Sequence, residues 1–445
     1  MTISSLPELE AAESAADGVR IPPDVTVPLT PRVRALLDTA EMRRLARISQ
    51  LGLVALVYPG ATHSRLEHSL GVYRLAICFL QRLQHDPRFA AAVGPADAAA
   101  FLAAALLHDV GHWAYCHPLE DMGLEVLPRH ETLVHGVLTG GGMAAILERQ
   151  WGVSAERVHA LIGGTATDPA GRILHSLLSG PIDVDKMDYL GRDSLHAGVP
   201  YGRHFDQERL LSSLCLDAAG QGLAITDKGR TAAELMVFAR YVMFSEVYWH
   251  HAVRAATAML QRAVWGVRDR IDLRALVRSD DRGFADWLLH TAAGTPAAEL
   301  AAGLFGPCRR LFKRVATFDA LHQPALHRAC AGRPYAAAVA IATRLAARLS
   351  SRLGTPITES HLLLDAPPAE REVEFRLQVR ERSAAADGSP VWRRLEDLSP
   401  VVRSLAREQF DDLVKRVRIF AHPDVAAAIR GCADLESMVL EAAQG

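Results

Sequence analysis

The stretch "LLHDVGHWAYCH" (106–117) ends an apolar run, Ala98 to Leu107, built almost wholly of alanine and leucine. A run of this kind folds as a helix buried on every side, because no face of it is polar. A histidine and an aspartate at its end then need compensation, since an unpaired buried carboxylate costs several kcal/mol. Taken alone, His108 and Asp109 make a satisfied hydrogen-bonded pair in a core. His112 and His117 follow within nine residues, and they make the bland reading harder to hold.

Two other stretches supply partners. In "PGATHSRLEHSLGV" (59–72), His68 sits four residues before Val72, on the face that continues through Leu75, Ala76, Phe79, Leu80 and Leu83. In "GPIDVDKMDYLGRDSLHAG" (180–198), Asp185 opens a helix on which Tyr189, Arg192 and Asp193 share its face. Those groups suit a wet, charged cleft. His68, His108, Asp109 and Asp185 together make a nitrogen and oxygen ligand set for Fe, Mn, Zn or Co, and the residue types do not choose among these metals. Such an ion polarises a phosphoryl oxygen and lowers the pKa of bound water. His112 and His117 are of the type that moves protons near neutral pH.

The order H…HD…D, carried by "RLEHSLGV", "LLHDVGHWAYCH" and "IDVDKMDYLGRD", resembles the HD-domain phosphohydrolases, and within them the deoxynucleoside-triphosphate triphosphohydrolase branch. The resemblance runs from about Ile21 to Tyr248, and weakly through "LLLDAPP" and "VKRVRIFAHP". It implies His68, His108, Asp109 and Asp185 as metal ligands and His112, His117 and His130 as catalytic histidines, with His117 the general acid. It implies Arg65, Lys186 and Tyr189 as triphosphate contacts, Gln50 and Leu51 at the sugar, Asp193 at the 3′-hydroxyl and Tyr248 against the sugar face. Mg bound with the substrate phosphates, an allosteric nucleotide and a homo-oligomer (dimer or tetramer) are further implications. His63, His135 and His196 match no role and read as structural.

Departures accompany the resemblance. Phe244 stands where the animal member of the branch has a histidine near the base, and Trp249 replaces a glutamine. Asp38 matches an acid that reads guanine at the allosteric site, but Arg43 and Ala46 stand where a glutamine and an arginine would help. Free deoxynucleotide hydrolysis is therefore the first expectation. Another nucleotide or nucleic-acid phosphoester, or a nucleotide-sensing oligomeric scaffold, stands as the alternative.

The rest of the chain bounds the fold. Its 445 residues exceed one ordinary core. The 49 basic and 51 acidic side chains nearly cancel, leaving no overall attraction for nucleic acid or an anionic membrane. Six cysteines without CxxC spacing read as free thiols of a reducing compartment. The acidic amino-terminal stretch lacks the pattern of a signal peptide, and no apolar run reaches membrane-span length, so a soluble, cytoplasmic protein is expected. The fold class expected is mainly α, an HD-domain helical core with a small C-terminal α+β subdomain. The divisions are a polar arm over 1–25, mobile at its start, the phosphohydrolase core over 26–264, a helical extension over 265–355 and the subdomain over 356–445. "VEFRLQV" (373–379) alternates as a half-exposed strand, "AADGSP" turns, and "VWRRL" returns as its partner. A helix over about 400–412, a strand at "VKRVRIF" and a terminal helix follow.

Overall fold

The computed structural model describes residues 2–14, 18–367, 377–405 and 413–444. Its centre is the apolar run met first in the sequence. Helix Pro95–Leu107 is buried at every position from Ala98 onward. Its alanines let neighbours come close, and helix Arg65–Leu83 lies against it. Phe101, Leu102, Leu106 and Leu107 have no exposure at all, and each such side chain contributes about 1.5–3 kcal/mol by leaving water. The mount for His108 and Asp109 is accordingly rigid.

Each helix that bears a candidate ligand starts with a side-chain cap that sets its register. Ser64 accepts from the Glu67 amide and opens Arg65–Leu83. Asp183 accepts from the Lys186 amide and opens Val184–His196. Pro95 sits in the first turn of its helix, where its missing N–H costs nothing, and Asp97 reaches back to the Gly94 amide. Helix Val184–His196 packs across Arg65–Leu83. Gly71 makes that crossing possible: a Cβ there would come within 1.9 Å of Asp188 Oδ1 and 2.3 Å of an Arg192 nitrogen.

Around this frame the molecule is mainly helical, with three small sheets among the described residues. A hairpin pairs Gly18–Ile21 with Val25–Pro28. A four-stranded sheet runs Leu214–Leu216, Leu223–Thr226, Gln378–Ala384 and Pro390–Arg394 in spatial order. A three-stranded sheet places Val417–Ala421 between Lys313–Phe318 and Leu362–Asp365. The carboxy-terminal strands are thus divided between two sheets, each completed by strands from earlier in the chain.

Several expectations meet a different local structure. The amino-terminal stretch, expected as a mobile arm, packs into the main core through Ile3, Leu6 and Leu9, and Glu8 is buried in an ion pair with Arg32. Helical apolar spacing runs through residues 232–264 of the sequence, but the helix there is broken. Arg230–Met243 passes into a wider turn over Phe244–Tyr248, and a new helix, His251–Gly266, begins after His250, whose ring accepts from the Ala252 amide. The break throws Trp249 inward, where Arg254 lies over its ring at 4.4 Å. Residues 373–376 of the strand expected at 373–379 lie outside the described residues; Gln378 and Val379 begin a strand that runs on to Ala384 and pairs with the "VWRRL" strand as expected. The helix expected over 400–412 is described as Pro400–Ser404, with 406–412 outside the described residues.

Candidate metal centre and its cleft

His68, His108 and Asp185 come from three different helices, or the end of one, and their ligand atoms lie within 4.8 Å of one another. His68 Nε2 is 3.0 Å from Asp185 Oδ1 and 3.3 Å from His108 Nε2. His108 Nε2 is 3.3 Å from Asp109 Oδ1. The opposite nitrogens fix the tautomers. His108 Nδ1 donates to the Ala105 carbonyl at 2.9 Å, which can only accept, and His68 Nδ1 donates to Asp188 Oδ2 at 2.9 Å. Both Nε2 lone pairs therefore face each other and two carboxylate oxygens. With His68 neutral, these four acceptors repel one another, and either a proton on His68 Nε2 or a metal cation relieves the repulsion. The donor set fits a divalent metal, with Asp188 and the Ala105 carbonyl orienting the imidazoles from behind.

The electrostatics agree. Burial opposes a charge on His68, but the hydrogen bonds to Asp185 and Asp188 outweigh it and push the imidazole up to about 10. The site holds positive charge even without a metal. Asp109 stays well below the usual carboxylate range despite its burial, because His112, His108 and Arg65 surround it. Arg65 Nη1 donates to Asp109 Oδ2 at 2.8 Å.

A second group of histidines follows along the same cleft. Tyr115 adopts φ 57°, the left-handed region, and from it the short helix Cys116–Glu120 departs. His117 Nε2 then lies 3.2 Å from His112 Nε2. The His130 ring is 3.8 Å from that of His112, and its Nδ1 lies 3.1 Å from both Glu120 oxygens. Crowding by neighbouring cleft atoms, then the positive charge of Arg65, push His117 down to about 4.

A cavity of about 420 Å³ adjoins these groups, lined by Gln50, Leu51, Arg65, His117, Tyr248 and Trp249 among others. Gln50 Oε1 and Arg65 Nε are buried there without a hydrogen-bond partner. Groups so placed cost free energy unless something else pairs with them. Tyr248 donates to Asp193 Oδ2 at 2.5 Å, and His63 Nε2 lies 2.9 Å from Asp193 Oδ1.

Not every sequence-selected residue faces this cavity. Lys186 turns to Asp183 at 2.6 Å, and Tyr189, pushed up to about 12 chiefly by burial, lies on the same helix turn. Arg192 does not project with Asp185: it binds both Asp188 oxygens at 2.8 Å and Glu67 Oε1 at 2.8 Å, buried behind the metal centre. Its place at i+4 from Asp188 made that pairing legible. Asp188 and Glu67 are functional neighbours that motif spacing alone did not select. His63, set aside as structural, touches Asp193. His196 bonds Glu67 at 2.8 Å, and His135 packs against His159. Asp38 is exposed at a helix end, with Arg43 and Ala46 also exposed.

Residues 65–148 match the HD domain, and residues 205–443, more than half of the chain, match the HD associated region. The chain belongs to the HD-domain phosphohydrolases. It is similar in sequence to proteins named deoxynucleoside triphosphate triphosphohydrolase SAMHD1. An uncharacterised protein of Methanocaldococcus jannaschii is 34% identical over 259 residues, covering 57% of this chain and 51% of the relative. YwfO of Bacillus subtilis is 35% identical over 234 residues, covering 51% and 50%. The human deoxynucleoside triphosphate triphosphohydrolase SAMHD1 is 27% identical over 279 residues, covering 56% and 44%. The chain spans about half the length of the curated relatives it matches. The fold of this HD phosphohydrolase is shared with a hypothetical protein from Aquifex aeolicus, at TM-score 0.69 and 22% identity, over 95% of this chain and 99% of that one. A phosphohydrolase from Bacteroides thetaiotaomicron gives TM-score 0.68 at 21% identity, over 91% and 99%. No helix among the described residues is long and apolar enough to cross a membrane.

Proposed function

We propose that this HD phosphohydrolase hydrolyses deoxynucleoside triphosphates to deoxynucleoside and inorganic triphosphate. The observation that carries this reading is the cavity beside the metal centre, where Gln50, Leu51, Arg65, His117 and Tyr248 converge and the buried Gln50 and Arg65 atoms await partners. Its volume suits a nucleoside. Tyr248, tied to Asp193, and Leu51 leave a ribose 2′-hydroxyl neither room nor partner, which disfavours ribonucleotides. The relative SAMHD1 carries the same activity in its name.

In this reading His68, His108, Asp109 and Asp185 hold the metal, which when bound supplies Lewis acidity at a phosphoryl oxygen and a more acidic water. Arg65 offers its free Nε to phosphate oxygens while its Nη1 stays on Asp109. Lys186 and Tyr189 serve the distal phosphates, Lys186 by leaving Asp183. Asp193 takes the 3′-hydroxyl, held by His63. Water adds at the α-phosphorus, the bond to the 5′ oxygen breaks, and His117 gives that oxygen a proton. His112 and His130 line up behind His117 and return a proton to it. A homo-oligomer, an activating nucleotide and Mg with the substrate phosphates belong to the same reading, as does a cytoplasmic setting. The boundaries at about 25, 264 and 355 are proposed as its functional divisions.

Phe244 and Trp249, both on the cavity wall, favour a second reading in which another nucleotide phosphoester is the substrate. Incubating the Mn²⁺-loaded protein with dNTPs, NTPs, monophosphates and single-stranded DNA separates the two. Intact inorganic triphosphate with deoxynucleoside is the expected product. Release of monophosphate or of pyrophosphate would overturn the reading.

A further inference from the structure

The cleft holds a second set of ligand atoms that the proposed reaction uses only to move protons. One donor atom from each of His112, Cys116, His117 and His130 lies within 4.8 Å of those of the other three. His112 Nε2 faces His117 Nε2 at 3.2 Å. Behind His130, both Glu120 oxygens sit 3.1 Å from Nδ1, so Nδ1 donates and Nε2 presents its lone pair. Behind His112, Asp109 Oδ1 sits 3.2 Å from Nδ1 without forming a hydrogen bond. His130 thus repeats the pattern of the first site, an imidazole turned inward with an acceptor orienting it from the rear. Cys116 is 1% exposed and lines the cleft at the same place.

Backbone conformation points the same way. Tyr115 is the one non-glycine residue with positive φ among the described residues, and it immediately precedes Cys116 and His117. A bulky side chain in that region is strained and persists where the surroundings impose it. Here it brings the thiol and the imidazole of consecutive residues to bear on one point.

We infer that His112, Cys116, His117 and His130 form a second metal site, an N₃S set that takes a thiophilic ion such as Zn²⁺ in preference to Mn²⁺ or Mg²⁺, and that its occupancy switches hydrolysis off. Three imidazoles and a thiolate make a closed tetrahedral set, whereas the first site has nitrogen and oxygen donors alone. On binding, the Cys116 S–H bond breaks, a sulfur–metal bond forms and the proton leaves to solvent, with no change of oxidation state. The His117 lone pair is then held by the ion and cannot carry the proton for the leaving group. The inhibition rests on the role proposed above for His117, but the metal site does not.

Titration of the metal-free full-length protein with Co²⁺ tests the site without reference to turnover. Binding of about two equivalents is expected, with a thiolate-to-cobalt charge-transfer absorption that the first site cannot produce. C116S and, separately, H130N should lose that absorption while one Co²⁺ still binds. Saturation at one equivalent without the absorption, or its survival in C116S, overturns the site. With the Mn²⁺-loaded enzyme, Zn²⁺ should suppress triphosphate release, and C116S should need about tenfold more Zn²⁺ for the same suppression. Equal suppression of both proteins overturns the switch. If Mn²⁺-loaded wild type releases no triphosphate, the substrate reading fails and the cobalt absorption still decides the site.

Discussion

At the scale of single residues, the proposed reading separates groups that hold a metal from groups that move protons. His117→Ala should therefore lower kcat about 10²–10⁴-fold while Mn²⁺ content stays at the wild-type level. Turnover at the wild-type rate would remove His117 from the reaction. The imidazole sits at about 4 in the free cleft and is neutral at pH 7. A polyphosphate anion beside it favours the protonated form, so the shift on binding is upward. Binding of an unhydrolysable dNTP analogue should thus take up protons, at most about one, and more at pH 5.5 than at pH 7. Calorimetry in buffers of different ionisation enthalpy measures it, and no uptake in wild type, or uptake unchanged in His117→Ala, would sink the assignment. That His68, His108, Asp109 and Asp185 would meet was legible in the sequence, because an acid and a histidine at the end of an alanine and leucine helix need partners. The second layer was not. Asp188 and Glu67 are acids on amphipathic helices, and only the crossing of those helices shows that they face His68 and Arg192.

Among elements, the crossing of Arg65–Leu83 and Val184–His196 carries the geometry of the centre. Gly71 sits where the helices touch, and an added methyl would meet Asp188 and Arg192 head on. Gly71→Ala should cost about 1–3 kcal/mol of stability through overpacking. It should also weaken Mn²⁺ binding about 10–100-fold, since Asp188 orients His68. Thermal melting and metal titration measure the two effects, and unchanged Mn²⁺ affinity would mean that Asp188 does not govern His68. The helices were readable from apolar spacing because each buries one stripe. The break at Trp249 and His250 was not, because the apolar pattern runs on through it. The turn there is set by Trp249 packing between Arg254 and Arg418, the second of them far along the chain.

Across the whole molecule, that tryptophan links the substrate cavity to the carboxy-terminal sheet. Arg254 binds Asp365 through two hydrogen bonds, at 2.5 and 3.1 Å, and Arg418 reaches the Trp249 carbonyl at 3.0 Å. Asp365 is 2% exposed, so removing it leaves buried arginine charge uncompensated. Asp365→Ala should destabilise the fold by about 3–5 kcal/mol and raise KM by moving Trp249. Denaturant melts and steady-state kinetics read these, and a loss under about 1 kcal/mol would show the pair to be solvated. The helical class and the hairpin around "AADGSP" followed from periodicity and turn chemistry. The sharing of carboxy-terminal strands between two sheets did not, because strand pairing across some hundred residues leaves no local trace in the sequence.

The account stands or falls on the four ligands drawn together from "RLEHSLGV", "LLHDVGHWAYCH" and "IDVDKMDYLGRD". The direct measurement is Mn²⁺ content by mass spectrometry after loading and dialysis, for wild type and for His68→Ala, Asp185→Ala and His117→Ala. About one Mn²⁺ per chain is expected in wild type and in His117→Ala, and close to none in the other two. Equal Mn²⁺ in all four proteins, with folding intact by circular dichroism, would contradict the metal centre.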